Sequence, residues 1–264
     1  MVNKSSSALL PNRRTVLITG AAQRIGKAIA LGFAEKQWNV LIHYHQSHEA
    51  AEALVKTIAA EGGTAMSFAA DLSQEQETAD LIPIIAKTIQ KPIDCLVNNA
   101  SIFERDDAAT ATAQSWQLHM QINLRAPFIL SQKFQQQLPA GRHANIINVI
   151  DQRVLCLTPY FTSYTISKAG LWTLTQTLAL AWAPYIRVNA IGPGPTLPSP
   201  RQTSKQFQDQ CLAMPLQQGT SPEEISNAIQ FIVDSPAMTG QMLSLDGGQH
   251  LGWAVPSKNY ILPE

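Results

Sequence analysis

The sequence is poor in charge. Aspartate, glutamate, lysine and arginine supply 14% of its 264 residues, against roughly 25% in an ordinary soluble chain. Its 19 basic and 19 acidic residues cancel. No lysine- or arginine-rich run offers a footprint for a phosphate backbone, which argues against nucleic acid as a partner. Cysteine is scarce as well. Cys95, Cys156 and Cys211 are odd in number and match no metal-ligand spacing. Reduced, buried thiols in a cytoplasmic protein are expected, with no metal site. Long apolar runs are missing, so no membrane span is expected, and the opening MVNKSSSALLPNRR has no signal-like apolar core. Residues 1–12 read as a flexible polar arm.

What the chain does have is apolar mass. Hydrophobic residues make up 45%, enough for one sizeable core, and no repeat or linker divides residues 13–264. The low charge leaves two readings. Either sister subunits cover much of the surface, or glutamine and threonine make that surface polar.

Short β-branched runs alternate with helical stretches. TVLIT (15–19), NVLIHYH (39–45), TAMSFAAD (64–71), DCLVNNA (94–100), ANIINVI (144–150), IRVNAIGPG (186–194) and MLSLDGG (242–248) read as strands. Helices are expected over 25–36, from Ser47 to about Glu61, from Ser73 to about Ile89 with Pro83 as a blemish, over 112–137 and over 161–182. This is the rhythm of an α/β domain: a single Rossmann-type, doubly wound parallel sheet of about seven strands with helices on both faces. Such sheets bind ligands at the carboxyl ends of their strands. The rhythm breaks in the proline-rich stretch 193–204.

TGAAQRIG (19–26) follows the first strand and opens the first helix. Gly20 permits a sharp turn, and Gly26 permits close approach of the helix. Arg24, Ile25 and Gly26 sit where free helix N–H groups form an anion site. The loop resembles the cofactor loop of short-chain dehydrogenases/reductases. Arg24, where most members carry glycine, is similar to the variant in pteridine reductases.

In such a fold, NAD selectivity needs a carboxylate at the end of the second strand. Here HYHQS (43–47) stands there, with no acid before Glu49. Arg24, His45 and Ser47 can all donate to a 2′-phosphate, so NADPH is the expected cofactor. His45 is equally readable as a strand-end histidine in water. The segment resembles the HYHRS of pteridine reductases, with Gln46 replacing their arginine. The resemblance also implies that Asp71 and Leu72 hold the adenine, although Asp71 could instead cap the following helix. It implies that Asn99, Ala100 and Ser101 line the ribose and nicotinamide, and that Pro193 and Gly194 seat the nicotinamide amide.

Tyr164 and Lys168 lie four apart in YTISK, on one helix face. An ammonium beside a phenol lowers its pKa and readies it for proton transfer. The helix follows the fifth strand, as in short-chain dehydrogenases, and Lys168 is also implied to hold the ribose. The family's usual serine, thirteen residues before the tyrosine, is replaced by Asp151. This replacement is similar to pteridine reductases and dihydromonapterin reductases. Asn123, in MQINLRAP, matches the asparagine that supports the lysine through water. A protonated Asp151 could donate to a ring nitrogen, and an ionised one could accept from a ring N–H. It could also keep a generic hydrogen-bonding role on another substrate.

Phe103 stands where pteridine reductases sandwich a flat ring against nicotinamide, and Ser101 where they contact substrate. Phe103 is also readable as a loop residue packed on the core. Residues 193–220 match nothing closely and are expected to form a mobile substrate lid. The tail 249–264 carries Trp253 and Tyr260, either for a neighbouring subunit or as a clasp on its own domain. The expectation is an NADPH-dependent oxidoreductase, a homotetramer by family, passing hydride to a small molecule such as a pterin or dihydropterin. A reductase of ketones, acyl thioesters, quinones or sugars is the alternative, and a non-catalytic NADP-sensing regulator the second.

Overall fold

In the computed structural model, which describes residues 9–252, the expected strands are β1 (Thr15–Ile18), β2 (Asn39–Tyr44), β3 (Thr64–Ala69), β4 (Cys95–Asn98), β5 (Ala144–Val149), β6 (Ile186–Pro193) and β7 (Met242–Leu245). They form one sheet in the order β3-β2-β1-β4-β5-β6-β7. Every neighbouring pair is parallel. β1, β2 and β4 are buried along their whole length. That is why they read as unbroken apolar runs rather than alternating ones: both sheet faces are covered.

The helices are α1 (Arg24–Glu35), α2 (His48–Ala60), α3 (Glu75–Ile89), α4 (Ala113–Met120), α5 (Ala126–Gln137), α6 (Thr162–Trp182), α7 (Ser204–Leu212) and α8 (Pro222–Val233). On one face α1, α2 and α8 bury Ile29, Phe33, Leu54, Ile58, Ile225 and Ile229. On the other, α3, α5 and α6 bury Leu81, Ile85, Leu130, Phe134 and Leu178. The strand order reverses between β1 and β4, which opens a crevice at their carboxyl ends.

Several expectations need correction. The single helix over 112–137 is two helices joined by a π-helical turn, Gln121–Arg125. Such turns concentrate at functional sites, and this one carries Asn123. Pro83 lies inside α3 without ending it. Neither α7 nor α8 was expected. Each begins with a capping box, Thr203 with Gln206 and Ser221 with Glu224, which satisfies free N–H groups at the helix start. The 193–220 stretch is therefore partly helical.

The arm 1–12 is fastened at its inner end. The Leu10 N–H donates to Asn39 at 3.0 Å, and Lys91 Nζ donates to the carbonyls of Leu10 and Pro11. Residues 1–8 of that arm lie outside the described residues, as do Trp253 and Tyr260 of the tail. All three cysteines are free, but only Cys95 is buried; Cys156 and Cys211 are partly exposed. Among the described residues no helix is long and apolar enough to cross a membrane, and no cluster of side chains could hold a metal.

Candidate active site

A cavity of about 930 Å³ runs along the carboxyl edge of the sheet. One end is lined by Arg24, His45 and Ser47, the other by Asp151, Tyr164 and Lys168. Gly20, Ile25, Gly26, Asn99, Ala100, Ser101, Phe103, Pro193 and Gly194 also line it.

The loop after β1 is built by close approach. Gly20 has φ +62°, a left-handed conformation that suits glycine. A Cβ at Gly26 would strike the Gly20 carbonyl oxygen and come within 2.7 Å of Asn99 Nδ2. Asn99 Nδ2 donates to the carbonyls of Thr19 and Gly20 at 2.8 and 3.1 Å, tying the end of β4 to the loop. No side chain caps the start of α1, so its first N–H groups are left for an anion. Arg24 has φ +53°. That explains why glycine is usual at this position, and it means the arginine is held there against local strain. Its guanidinium donates to the carbonyls of Leu197 and Pro198 at 3.5 and 3.1 Å.

At the other end, β5 delivers Asp151 and α6 delivers Tyr164 and Lys168. The Tyr164 hydroxyl donates to Asp151 Oδ2 at 2.9 Å. Lys168 Nζ donates to the Val149 carbonyl at 2.8 Å. Both Tyr164 and Lys168 are almost wholly buried. Burial pushes the Asp151 carboxyl above the usual range, while the Arg153 guanidinium and N–H and the Tyr164 hydroxyl favour its ionised form. Burial pushes the Tyr164 phenol well above its usual value, and the charge and hydrogen bond of Asp151 push it the same way. Burial lowers Lys168 to about 8, against the attraction of Asp151. The expectation that Lys168 brings the phenol down is thus outweighed here, by burial first and then by the hydrogen-bonded carboxyl.

A family model described as short chain dehydrogenase matches residues 14–209. The chain belongs to this family. A 3-oxoacyl-[acyl-carrier-protein] reductase from Synechocystis is 30% identical over 239 residues, covering 89% of this chain and 96% of that one. The solved structure of FolM alternative dihydrofolate reductase 1 from Brucella suis, in complex with NADP, is 42% identical with a TM-score of 0.88. That match covers 93% of this chain and 98% of that one. The angucycline C-6 ketoreductase LanV with bound NADP is 25% identical, TM-score 0.85, over 90% of this chain and 96% of that one.

Not every residue singled out in this short-chain dehydrogenase faces the cavity. Asn123 is buried behind it. Its Oδ1 accepts from Ser101 Oγ and the Ile102 N–H, and its Nδ2 donates to Ser167. It therefore ties the loop after β4 to α6. Leu72 is core, and Asp71 accepts from the Ser73 N–H in the turn before α3, whose own N-cap is Gln74 with no side-chain cap. His45 Nε2 lies 3.7 Å from Asp71 Oδ2.

Other residues of the site had no readable motif. Phe161 stacks on Phe103 with centroids 4.3 Å apart, so one face of Phe103 is already covered. The guanidiniums of Arg153 and Arg201 lie 5.9 and 5.5 Å from the Phe103 ring. Arg201 also donates to the Phe103 carbonyl at 2.6 Å, so the 193–220 segment is clasped to the loop that carries Phe103. Behind them, Ser163 donates to Asp106 and sits 2.7 Å from His119 Nδ1, while the Glu104 N–H donates to His119 Nε2. The carboxylate holds the serine rather than the imidazole, and all three side chains are buried. This is a clamp between the Phe103 loop and the start of α6, not a hydrolytic triad.

Proposed function

We propose that the chain is an NADP-dependent oxidoreductase that reduces a small nitrogen heterocycle, a dihydropterin in the first instance. The observation that carries the reading is the Asp151 carboxyl, hydrogen-bonded to the Tyr164 hydroxyl on the cavity wall shared with Phe103. Family resemblance supports it, as does the FolM structure.

The residues present fit NADPH. The uncapped start of α1 suits a diphosphate. Arg24, His45 and Ser47 suit a 2′-phosphate, and no acid lines that end of the cavity. Lys168 and Asn99 stand where the nicotinamide ribose would be held. Bound there, NADPH supplies the hydride. The chain supplies the proton and the position. Tyr164, kept protonated by its raised pKa, carries a proton at its hydroxyl. Asp151, whose carboxyl is also raised, can donate to a ring nitrogen or return a proton to Tyr164. Lys168 holds positive charge near the ring, its Nζ 5.8 Å from the Tyr164 centroid. Phe103 gives a flat surface for a heterocycle, and the 193–220 segment, clasped through Arg24 and Arg201, acts as the lid.

Carbonyl reduction is the second reading, favoured by the acyl-carrier-protein reductase and ketoreductase relatives. NADPH oxidation measured against dihydropterins, simple ketones and acyl thioesters separates the two. A dihydropterin is expected to exceed the best carbonyl substrate in kcat/KM by about tenfold or more. A ketone or thioester turned over faster would overturn the pterin assignment. The low charge and the exposed Trp116, Phe128, Leu180 and Tyr185 support the homotetramer that the family suggests, which sedimentation velocity tests. Cytoplasmic residence fits three free thiols.

A further inference from the structure

His43 belongs to no catalytic motif, yet both of its ring nitrogens are hydrogen-bonded beside the cofactor loop. It is the fifth residue of β2 and is 2% exposed. Its Nδ1 accepts from the Gly20 N–H at 3.1 Å, and its Nε2 lies 3.1 Å from the Ala70 carbonyl. Its own carbonyl accepts from the Ala21 N–H at 2.9 Å. Both peptide N–H groups at the turn of the loop therefore end on this residue.

The partners dictate the form of the ring. A peptide N–H can only donate, so Nδ1 must carry a lone pair. A carbonyl can only accept, so Nε2 must carry the proton. The imidazole is neutral and in one tautomer. Burial agrees, lowering its pKa to about 4, with the charge of His45 pushing the same way and the bond to Ala70 opposing. The Thr19–Gly20 peptide is held at its N–H by this ring and at its carbonyl by Asn99. Gly20 is the left-handed turn that brings the chain from β1 into α1. Moving its peptide moves the first N–H groups of the helix.

We propose that His43 is a positioning residue for the cofactor: its neutral ring sets the Gly20 peptide, and with it the N–H cradle for the diphosphate. The proposal rests on the NADPH reading above. It predicts a dependence on one ring nitrogen and not the other.

Two amide substitutions separate the nitrogens. His43→Asn places an amide oxygen near the Nδ1 position and keeps the acceptor for Gly20 while losing the bond to Ala70. His43→Gln places an amide N–H near the Nε2 position and keeps the bond to Ala70 while leaving the Gly20 N–H without its acceptor. Titration with NADPH and with NADH gives the readout. The Asn variant is expected to bind within about threefold of wild type, and the Gln variant about tenfold more weakly. The loss should be the same for NADPH and NADH, because both carry the diphosphate. In turnover, the Gln variant should raise KM for the cofactor and leave kcat in place. Equal affinities for the two variants, or weaker binding by the Asn variant, would overturn the proposal. Should either variant fail to fold, the ring nitrogens of the wild-type protein decide by NMR: an Nδ1–H tautomer or an imidazolium at neutral pH refutes it. If wild type itself binds neither nucleotide, the cofactor reading fails instead.

Discussion

Replacing Asp151 by serine puts back the residue usual in short-chain dehydrogenases and tests what the carboxyl does. Asp151 Oδ2 receives the Tyr164 hydroxyl at 2.9 Å, and burial holds the carboxyl above its ordinary range. A hydrogen bond involving an ionised group contributes about 1.5–3 kcal/mol. Lost from the transition state, that becomes about 10- to 150-fold in kcat/KM for a dihydropterin. A ketone, which needs one donor to its oxygen, should be spared or improved. The substitution also removes the charge and bond that raise Tyr164, so the alkaline limb of the pH–rate profile should move to lower pH. Asp151→Asn refines the test, because its amide can donate but cannot lose a proton. If the protonated carboxyl is the working form, Asn keeps dihydropterin turnover within about tenfold of wild type; if the carboxylate is, Asn falls with Ser. Steady-state NADPH oxidation over a pH series reads all of these. The reasoning is refuted if Asp151→Ser changes dihydropterin kcat/KM by less than about threefold, or lowers dihydropterin and ketone together.

Other expectations are equally direct. Arg24→Gly relieves a residue at φ +53°, a conformation costing about 1–2 kcal/mol in an L-residue; thermal stability should hold or rise while NADPH, and not NADH, binds about tenfold more weakly, as isothermal titration would read. Gly26→Ala drives a Cβ against Gly20 and Asn99 and should cost about 1–3 kcal/mol in denaturant unfolding. His43, lowered from 6.5 to about 4, contributes stability that is fully present above 6.5 and is lost as pH falls toward 4. That amounts to about 3 kcal/mol, so wild type should lose this much more than His43→Asn between about pH 7 and about pH 4, and coincident urea midpoint shifts would contradict it.

The middle of the sheet was readable because β1, β2 and β4 are buried on both faces and so appear as unbroken apolar runs. The site was readable where chemistry needs a fixed chain spacing: Asp151, Tyr164 and Lys168 come from one strand end and one helix face. α8 carried a legible signal, Ser221-Pro222-Glu223-Glu224, a capping box with proline in the first turn, that hydrophobic periodicity alone did not pick out. The break at Gln121–Arg125 had none, since its sequence reads as ordinary helix. Phe161 was equally silent. Its place on Phe103 comes from a left-handed backbone at the start of α6, φ +61°, held by the bond from its N–H to the Asp106 carbonyl. Contacts across chain distances of this kind are set by the assembled fold and leave no local pattern. His43 lay inside a noticed motif, but its value depends on two carbonyl and amide partners that only the folded sheet brings to it.

The phenol at the heart of the site offers the most direct trial. Tyr164→Phe keeps the ring and removes only the hydroxyl that bonds Asp151. With NADPH affinity measured by titration and turnover by NADPH oxidation in the presence of a dihydropterin, binding should match wild type while kcat falls by about 100-fold or more. Full turnover without the hydroxyl would contradict the account.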